Sequence, residues 1–144
     1  MRFNFLAPAL MLCALAAQAQ TDAAAAAAKE PGAVLKPSGL VFLSLRDGTG
    51  ASPGPSDTVT VNYRGTFPDG REFDSSYKRG QPIEFPLNGV IKCWTEGVQL
   101  MKVGGKAKLT CPPGLAYGER GAGSAVPPNA TLHFEVELLA IRGK

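Results

Sequence analysis

Side chains that ordinarily carry covalent or acid–base chemistry are few in this sequence, and nothing in their spacing assembles them. The single histidine, His133, stands among the outward positions of an alternating segment, where a solvated imidazole is the simpler reading than a general base. No serine lies in a nucleophile-elbow pattern, and no histidine pairs with a cysteine. The nearest approach to a phosphate-cradling loop, Val103-Gly104-Gly105-Lys106, lacks the spacing of a P-loop. Asp74 and Glu84 would make an acid pair only if the fold joined them, and their spacing gives no reason to expect it. Conventional hydrolysis and group transfer are not expected, and neither a metal nor a cofactor is required.

The sequence instead supplies aromatic and aliphatic groups near loop junctions: Tyr63, Phe73, Phe85, Val90, Ile91, Trp94, Tyr117 and Phe134. An antiparallel domain needs a core, and Phe85 and Phe134 taken alone read as core. Trp94 and Tyr117 carry polar handles that usually find partners, and Tyr117 lies in an irregular stretch where a core role is less natural. Function is best sought in an apolar hollow around the tryptophan.

Residues 89–101 hold that tryptophan at the head of a short helical pattern. Trp94, Val98 and Met101 fall at i, i+4 and i+7, on one face. A helix this short cannot hold itself in water and needs a sheet to cover its stripe. Residues 39–45 are strand material, and residues 57–64 alternate with Val59, Val61 and Tyr63 on one face. Phe67-Pro68-Asp69-Gly70 turns the chain back into a hairpin arm at 71–74. Residues 75–82 are polar and read as loop or bulge. Ile83, Phe85 and Leu87 resume the alternation, with Pro86 pointing to an edge position. Gly104-Gly105 closes the helix, and residues 106–111 form another strand. A long irregular loop at 112–128 leads to a last strand at 131–141, with Leu132, Phe134, Val136 and Leu138 inward. Half-buried alternation favours an antiparallel sheet with one wet face. Five strand segments and one helix make an α+β domain.

Ahead of that domain, residues 1–19 read as a Sec-type signal peptide: Arg2, an apolar run, then Ala17-Gln18-Ala19 as a small-x-small cleavage site. Residues 20–36, with six consecutive alanines and the breaker Pro31-Gly32, read as a flexible spacer, which leaves 37–144 for the domain. The expected destination is the periplasm or the exterior. Without Arg2, 14 basic groups face 12 acidic ones, a net charge of +2. No run of lysines or arginines forms a stripe, which argues against nucleic acid. Nothing after residue 19 is apolar enough to span a membrane. Export would place Cys93 and Cys111 in an oxidising space, but a separation of 18 positions says nothing about geometry. A disulfide and two buried thiols both stay open, while metal or redox chemistry lacks further ligands.

Four stretches carry a family resemblance: VNYRGTFPDGREFDSS, GVIKCWTEGVQLMKVGGKAKLTCP, LAYGERG and VPPNATLHFEVELL, in that order across about residues 40–141. The chain resembles an FKBP-type peptidyl-prolyl cis-trans isomerase, and more narrowly a small exported bacterial member. The resemblance implies a curved antiparallel sheet of about five strands wrapped around one short helix, in agreement with the pattern above. It also implies a pocket for a substrate proline ring between sheet and helix. Carried over by position, Trp94 is similar to the pocket floor, and Tyr63, Phe73, Val90, Ile91 and Phe134 resemble its walls. Ile83 takes a wall position often held by an aromatic, and Phe85 would lie nearer the core. Asp74 resembles the carboxylate deep in one wall, with an electrostatic and positioning role that includes a bond from Tyr63. Tyr117 resembles the hydroxyl donor on the loop above. Residues 121–126 form the rim, where Ala122 and Ala125 replace a histidine and an isoleucine of the family's cytosolic pattern, with Val126 beside them. The implied activity is rotation about X-Pro bonds without cofactor. Proline-containing polypeptides are the implied substrates and macrolides of the FK506 type the inhibitors; with no long N-terminal helical segment in the sequence, a monomer is the expected working unit. A proline-recognising chaperone or binding module with little turnover is the alternative.

Overall fold

The structure, a computed structural model, describes residues 23–143. Its strands are β1 (Val34–Leu35), β2 (Val41–Arg46), β3 (Thr58–Thr66), β4 (Glu72–Ser75), β5 (Ile83–Pro86), β6 (Lys106–Cys111) and β7 (Leu132–Ile141). Every pairing is antiparallel, in the order β1-β2-β6-β7-β3-β4, with β5 also on β3. Strict alternation sets the long central pair. β3 buries Val59, Val61 and Tyr63, and β7 buries Leu132, Phe134, Val136 and Leu138, so one face is a continuous apolar wall. Register shifts at Ser44/Arg46, Thr60/Val61 and Gly65/Thr66 mark irregularities of the kind that bend and twist strands.

The central helix (Lys92–Val98) lies against that wall. It buries Cys93, Trp94, Gly97 and Val98, and Met101 is buried one turn further on. The expected stripe is present, but on a shorter helix than the 89–101 pattern suggests. A 3-10 turn at Leu87–Gly89 precedes it, and it stops at Val98, before Gly104-Gly105. Thr95 Oγ1 donates to the Leu87 carbonyl at 2.6 Å and fastens that turn to the helix. At Gly97 the helix comes so near β6 that a Cβ would lie 2.8 Å from Leu109 Cδ2. One turn earlier Cys93 is disulfide-bonded to Cys111, with Cα atoms 5.8 Å apart, which decides between the two states that spacing left open.

Four features differ from the sequence reading. The sheet has seven strands, not about five, because the two-residue β1 and the four-residue β4 are too short to show a period. The polar stretch 75–82 contains a one-turn helix, Ser76–Arg79, with Ser75 and Ser76 buried. The stretch read as spacer already enters the fold: residues 23–28 are helical, Ala27 is buried, Glu30 pairs with Lys108 at 2.9 Å, and β1 joins the sheet before residue 37. His133 is half-buried rather than solvated, with Nδ1 2.9 Å from Thr110 Oγ1, its cross-strand partner. Burial first, then the Lys108 charge, holds its pKa below the usual histidine value. The signal peptide expected at 1–19 lies outside the described residues. No helix among the described residues is long and apolar enough to cross a membrane.

The close approach at residue 97 is directly testable. Gly97→Val forces carbon into the fully buried Leu109, and overpacking of this kind costs about 1–3 kcal/mol. The expected outcome is a lower urea midpoint with an unchanged m value. An unchanged midpoint would show that the helix can slide away from β6.

Candidate active site

The helix delivers Trp94, only 4% exposed, to a ring of aromatic edges supplied by the sheet. Tyr63 meets its indole at 5.2 Å and 84°, Phe85 at 5.3 Å and 79°, and Phe134 at 5.5 Å and 88°. Edge-to-face contacts of this kind contribute about 0.5–1.5 kcal/mol each beyond their buried area. Phe73 extends the wall, 5.6 Å from Phe134. With Asp74, Gly89, Val90, Ile91 and Tyr117 these rings line a hollow of about 460 Å³. That volume falls within the range of roughly 300–1,000 Å³ for small-molecule pockets. Phe73 and Phe134 can converge because residue 65 has no side chain: a Cβ there would lie 2.6 Å from Phe73 Cζ and 3.0 Å from Phe134 Cε1. The Trp94 indole N–H is buried without an acceptor among the described residues, contrary to the usual habit of such groups.

One wall is polar. Tyr63 Oη donates to Asp74 Oδ2, as expected from the sequence. Arg79 Nη1 donates to Asp74 Oδ1 at 2.7 Å, and its Nη2 donates to Tyr63 Oη at 2.9 Å. The Ser75 backbone N–H adds a further bond to Asp74 Oδ1 at 2.9 Å. Burial alone would raise the Asp74 pKa. The hydrogen bonds from Tyr63 and Arg79, the guanidinium charge and the Ser75 N–H outweigh it and hold the carboxyl below its ordinary value. The Tyr63 hydroxyl is pushed up, by burial first and then by Asp74. At neutral pH the wall is a carboxylate, a neutral phenol and a guanidinium. These are fixed charges and dipoles, not groups poised to exchange protons.

The local sequence builds this clamp. Ser75 Oγ caps the Ser76–Arg79 helix by accepting from the Lys78 N–H, and Gly80 ends it in the left-handed region, at φ 76°. Ser76, fully buried, accepts the Tyr63 N–H at 2.8 Å and donates to Asn62 Oδ1 at 2.9 Å. A single helical turn thereby swings Arg79 back onto Asp74.

The structure brings Tyr63, Phe73, Asp74, Val90, Ile91, Trp94, Tyr117 and Phe134 to one hollow. Ile83, Ala122, Ala125 and Val126 are not among its lining residues. Ile83 lies opposite Val61, whereas Phe85, opposite Val59, takes the wall position beside Trp94. Both residues face the same side of β5, so alternation cannot choose between them. Ala125 is exposed, and Ala122 is bridged to Val126, which is buried. Arg79, Phe85 and Gly89 were missed as site residues. The need of a half-buried Asp74 for a cation, and the cap pair Ser75 and Gly80 around one turn, were the signals that pointed to Arg79.

The family model for FKBP-type peptidyl-prolyl cis-trans isomerases matches residues 50–139. The chain is 53% identical over 115 residues to the FKBP-type peptidyl-prolyl cis-trans isomerase FkpA of Escherichia coli K12, covering 80% of this chain and 42% of that protein. It is 46% identical over 126 residues to the Outer membrane protein MIP of Legionella longbeachae, covering 87% of this chain and 54% of that protein. Among solved structures it is similar to a peptidyl-prolyl cis-trans isomerase from Pseudomonas syringae pv. tomato. The TM-score is 0.81 at 38% identity, over 86% of this chain and 91% of that one. The chain belongs to the FKBP-type peptidyl-prolyl cis-trans isomerase family. It spans about half the length, or less, of the curated relatives it matches.

Two tests address the walls. Gly65→Ala should push Phe73 and Phe134 out of contact and, on the function proposed below, lower kcat/KM on a proline peptide per folded molecule; intact kinetics would show that the rings can yield. The clamp is tested by acid. Asp74 titrates below its unfolded value of about 3.9, so its contribution is present above that pH and is lost as pH falls through the folded pKa. Urea midpoints should separate wild type from Asp74→Asn at neutral pH and draw together only as pH falls below about 3.9 and through the lower folded pKa. A constant gap would remove Asp74 from the acid response.

Proposed function

We propose that this chain accelerates cis–trans rotation about X-Pro bonds in polypeptides. The observation that carries the proposal is the aromatic hollow around Trp94, with the Tyr63–Asp74–Arg79 clamp set into one wall. An X-Pro bond is a tertiary amide whose isomers differ by only about 0.5–1 kcal/mol, yet it exchanges over tens to hundreds of seconds. Amide resonance sets a barrier of roughly 20 kcal/mol. At the crest the amide is twisted, the nitrogen is pyramidal and the carbonyl has lost charge separation. The twisted form is less polar than either planar form. A hollow that excludes water penalises the planar forms more, which is differential binding of the transition state.

In this reading Trp94, Phe73, Phe85 and Phe134 hold the proline ring. Tyr117 and the Ile91 backbone N–H grip flanking carbonyls and bend the backbone toward the twist. Asp74, kept ionised by the Tyr63 hydrogen bond and by Arg79, acts through its field and by fixing the Tyr63 ring, and transfers no proton. Macrolides of the FK506 type would compete for the same hollow.

The proposal extends to the chain's organisation: an export signal at 1–19, then an isomerase domain that takes in the β1 segment ahead of residue 37 and works as a monomer in the periplasm on exported clients. The apolar run ending in Ala17-Gln18-Ala19 supports export. So does the Cys93–Cys111 disulfide, which suits an oxidising compartment.

The deciding experiment follows cis-to-trans conversion of a panel of X-Pro peptides. Acceleration supports the proposal; peptide binding without acceleration would instead make the chain a proline-recognising module. Within that assay, Tyr117→Phe should slow turnover by up to about tenfold, since a neutral hydrogen bond contributes roughly 0.5–1.5 kcal/mol. A loss of several orders of magnitude would assign Tyr117 a larger role than gripping a carbonyl.

A further inference from the structure

We infer that the Cys93–Cys111 disulfide aims the floor of the pocket, and is a positioning element of the site rather than only a staple of the fold. The inference rests on the isomerase reading above.

Cys93 immediately precedes Trp94 in the first turn of the central helix. Cys93 and Gly97, four positions apart, share one helix face, and Leu109 and Cys111, two positions apart, share one face of β6. Helix and strand therefore meet at two points: the close approach of Gly97 to Leu109, and the covalent bond one turn earlier. The helix is only seven residues long, and its N-terminus has no side-chain cap. Thr95 Oγ1 ties it to the Leu87 carbonyl at 2.6 Å, and Ser38 Oγ donates to Glu96 Oε1 at 2.5 Å. The disulfide is the one covalent restraint, and with the Gly97 approach it holds both the axis and the roll against β6. Roll matters here because Trp94 is the next residue along, about 100° round the helix from Cys93. Any roll turns the indole away from the edges of Tyr63, Phe85 and Phe134 that box it in.

The other end of the bond is equally placed. Cys111 closes β6, and the turn that follows is pinned by the Pro112 and Pro113 carbonyls. These accept from the N–H groups of Leu115, Ala116 and Gly118 at 2.9, 3.0 and 2.9 Å. Tyr117 is carried on this turn. One bond thus fixes the floor of the hollow against the root of the segment that holds its hydroxyl. Both cysteines have no exposed surface, so the folded site keeps them from thiol exchange and the bond is a brace, not a redox centre.

The test compares wild type with the Cys93→Ala/Cys111→Ala double variant of the full chain. Folding is verified by circular dichroism, and kcat and KM are taken per folded molecule on an X-Pro peptide. The emission of Trp94, the only tryptophan, is read alongside. The expected fall in kcat/KM is at least about tenfold, short of the ~100-fold that a 1 Å misplacement can cost, with an altered Trp94 emission maximum. Unchanged kcat/KM and emission in a variant that merely melts earlier would overturn the inference. If the variant is unfolded in plain buffer, trimethylamine N-oxide is added to both proteins until their native signals match. A variant that stays unfolded even then counts against a role specific to aiming. A disulfide-bonded wild type without any isomerase activity would overturn the functional reading, and the emission comparison would still decide whether the bond aims Trp94.

Discussion

The contact between Trp94 and the apolar face of the sheet is the interaction on which the rest of the structure depends. A seven-residue helix has no stability of its own, and it buries Trp94 and Val98 in one apolar cluster with the inward residues of β3, β6 and β7. The helix therefore exists because the sheet is there. The consequence for function is that the pocket floor is also core. Trp94, Tyr63 and Phe134 are packed among fully buried neighbours such as Val61, Val98 and Leu109, and close-packed interiors do not deform gradually. The hollow is held open by the same packing that holds the domain together.

Into this apolar setting the chain places one carboxylate. An unpaired ion there would be costly, and Asp74 is met by a phenol, a guanidinium and a backbone N–H. The partners keep it charged, which suits a field-producing and positioning role and not a proton donor. The arrangement suits the amide rotation proposed for this chain. No bond to be broken carries a proton, and the difference between ground state and crest is mostly a difference in polarity and shape. On the proposed function, an aromatic box that excludes water would act on both.

Much of this was legible in the residues themselves. The alternation in β3 and β7 and the i, i+4, i+7 stripe from Trp94 state burial directly, and burial is what periodicity reports. Where the physics is not periodic, the sequence carries no such signal. A two-residue strand such as β1 has no period, and the Ser76–Arg79 turn is written only in its caps. Ile83 and Phe85 share a parity, so only the register opposite Val61 and Val59 separates them. His133 alternates outward as expected, yet its cross-strand neighbour Thr110 and the Glu30 segment make that face half-buried. Cysteine spacing carries no distance, so the bond between Cys93 and Cys111 emerged only once helix and strand had been placed.

The central claim is that a water-poor aromatic hollow speeds rotation by favouring the less polar twisted amide, without moving a proton. Measuring kcat/KM for cis-to-trans conversion of an X-Pro peptide in light and heavy water tests it most directly. The account predicts clear acceleration with an isotope ratio near unity across neutral pH. Absence of acceleration, or a ratio well above unity that tracks a titration, would contradict it.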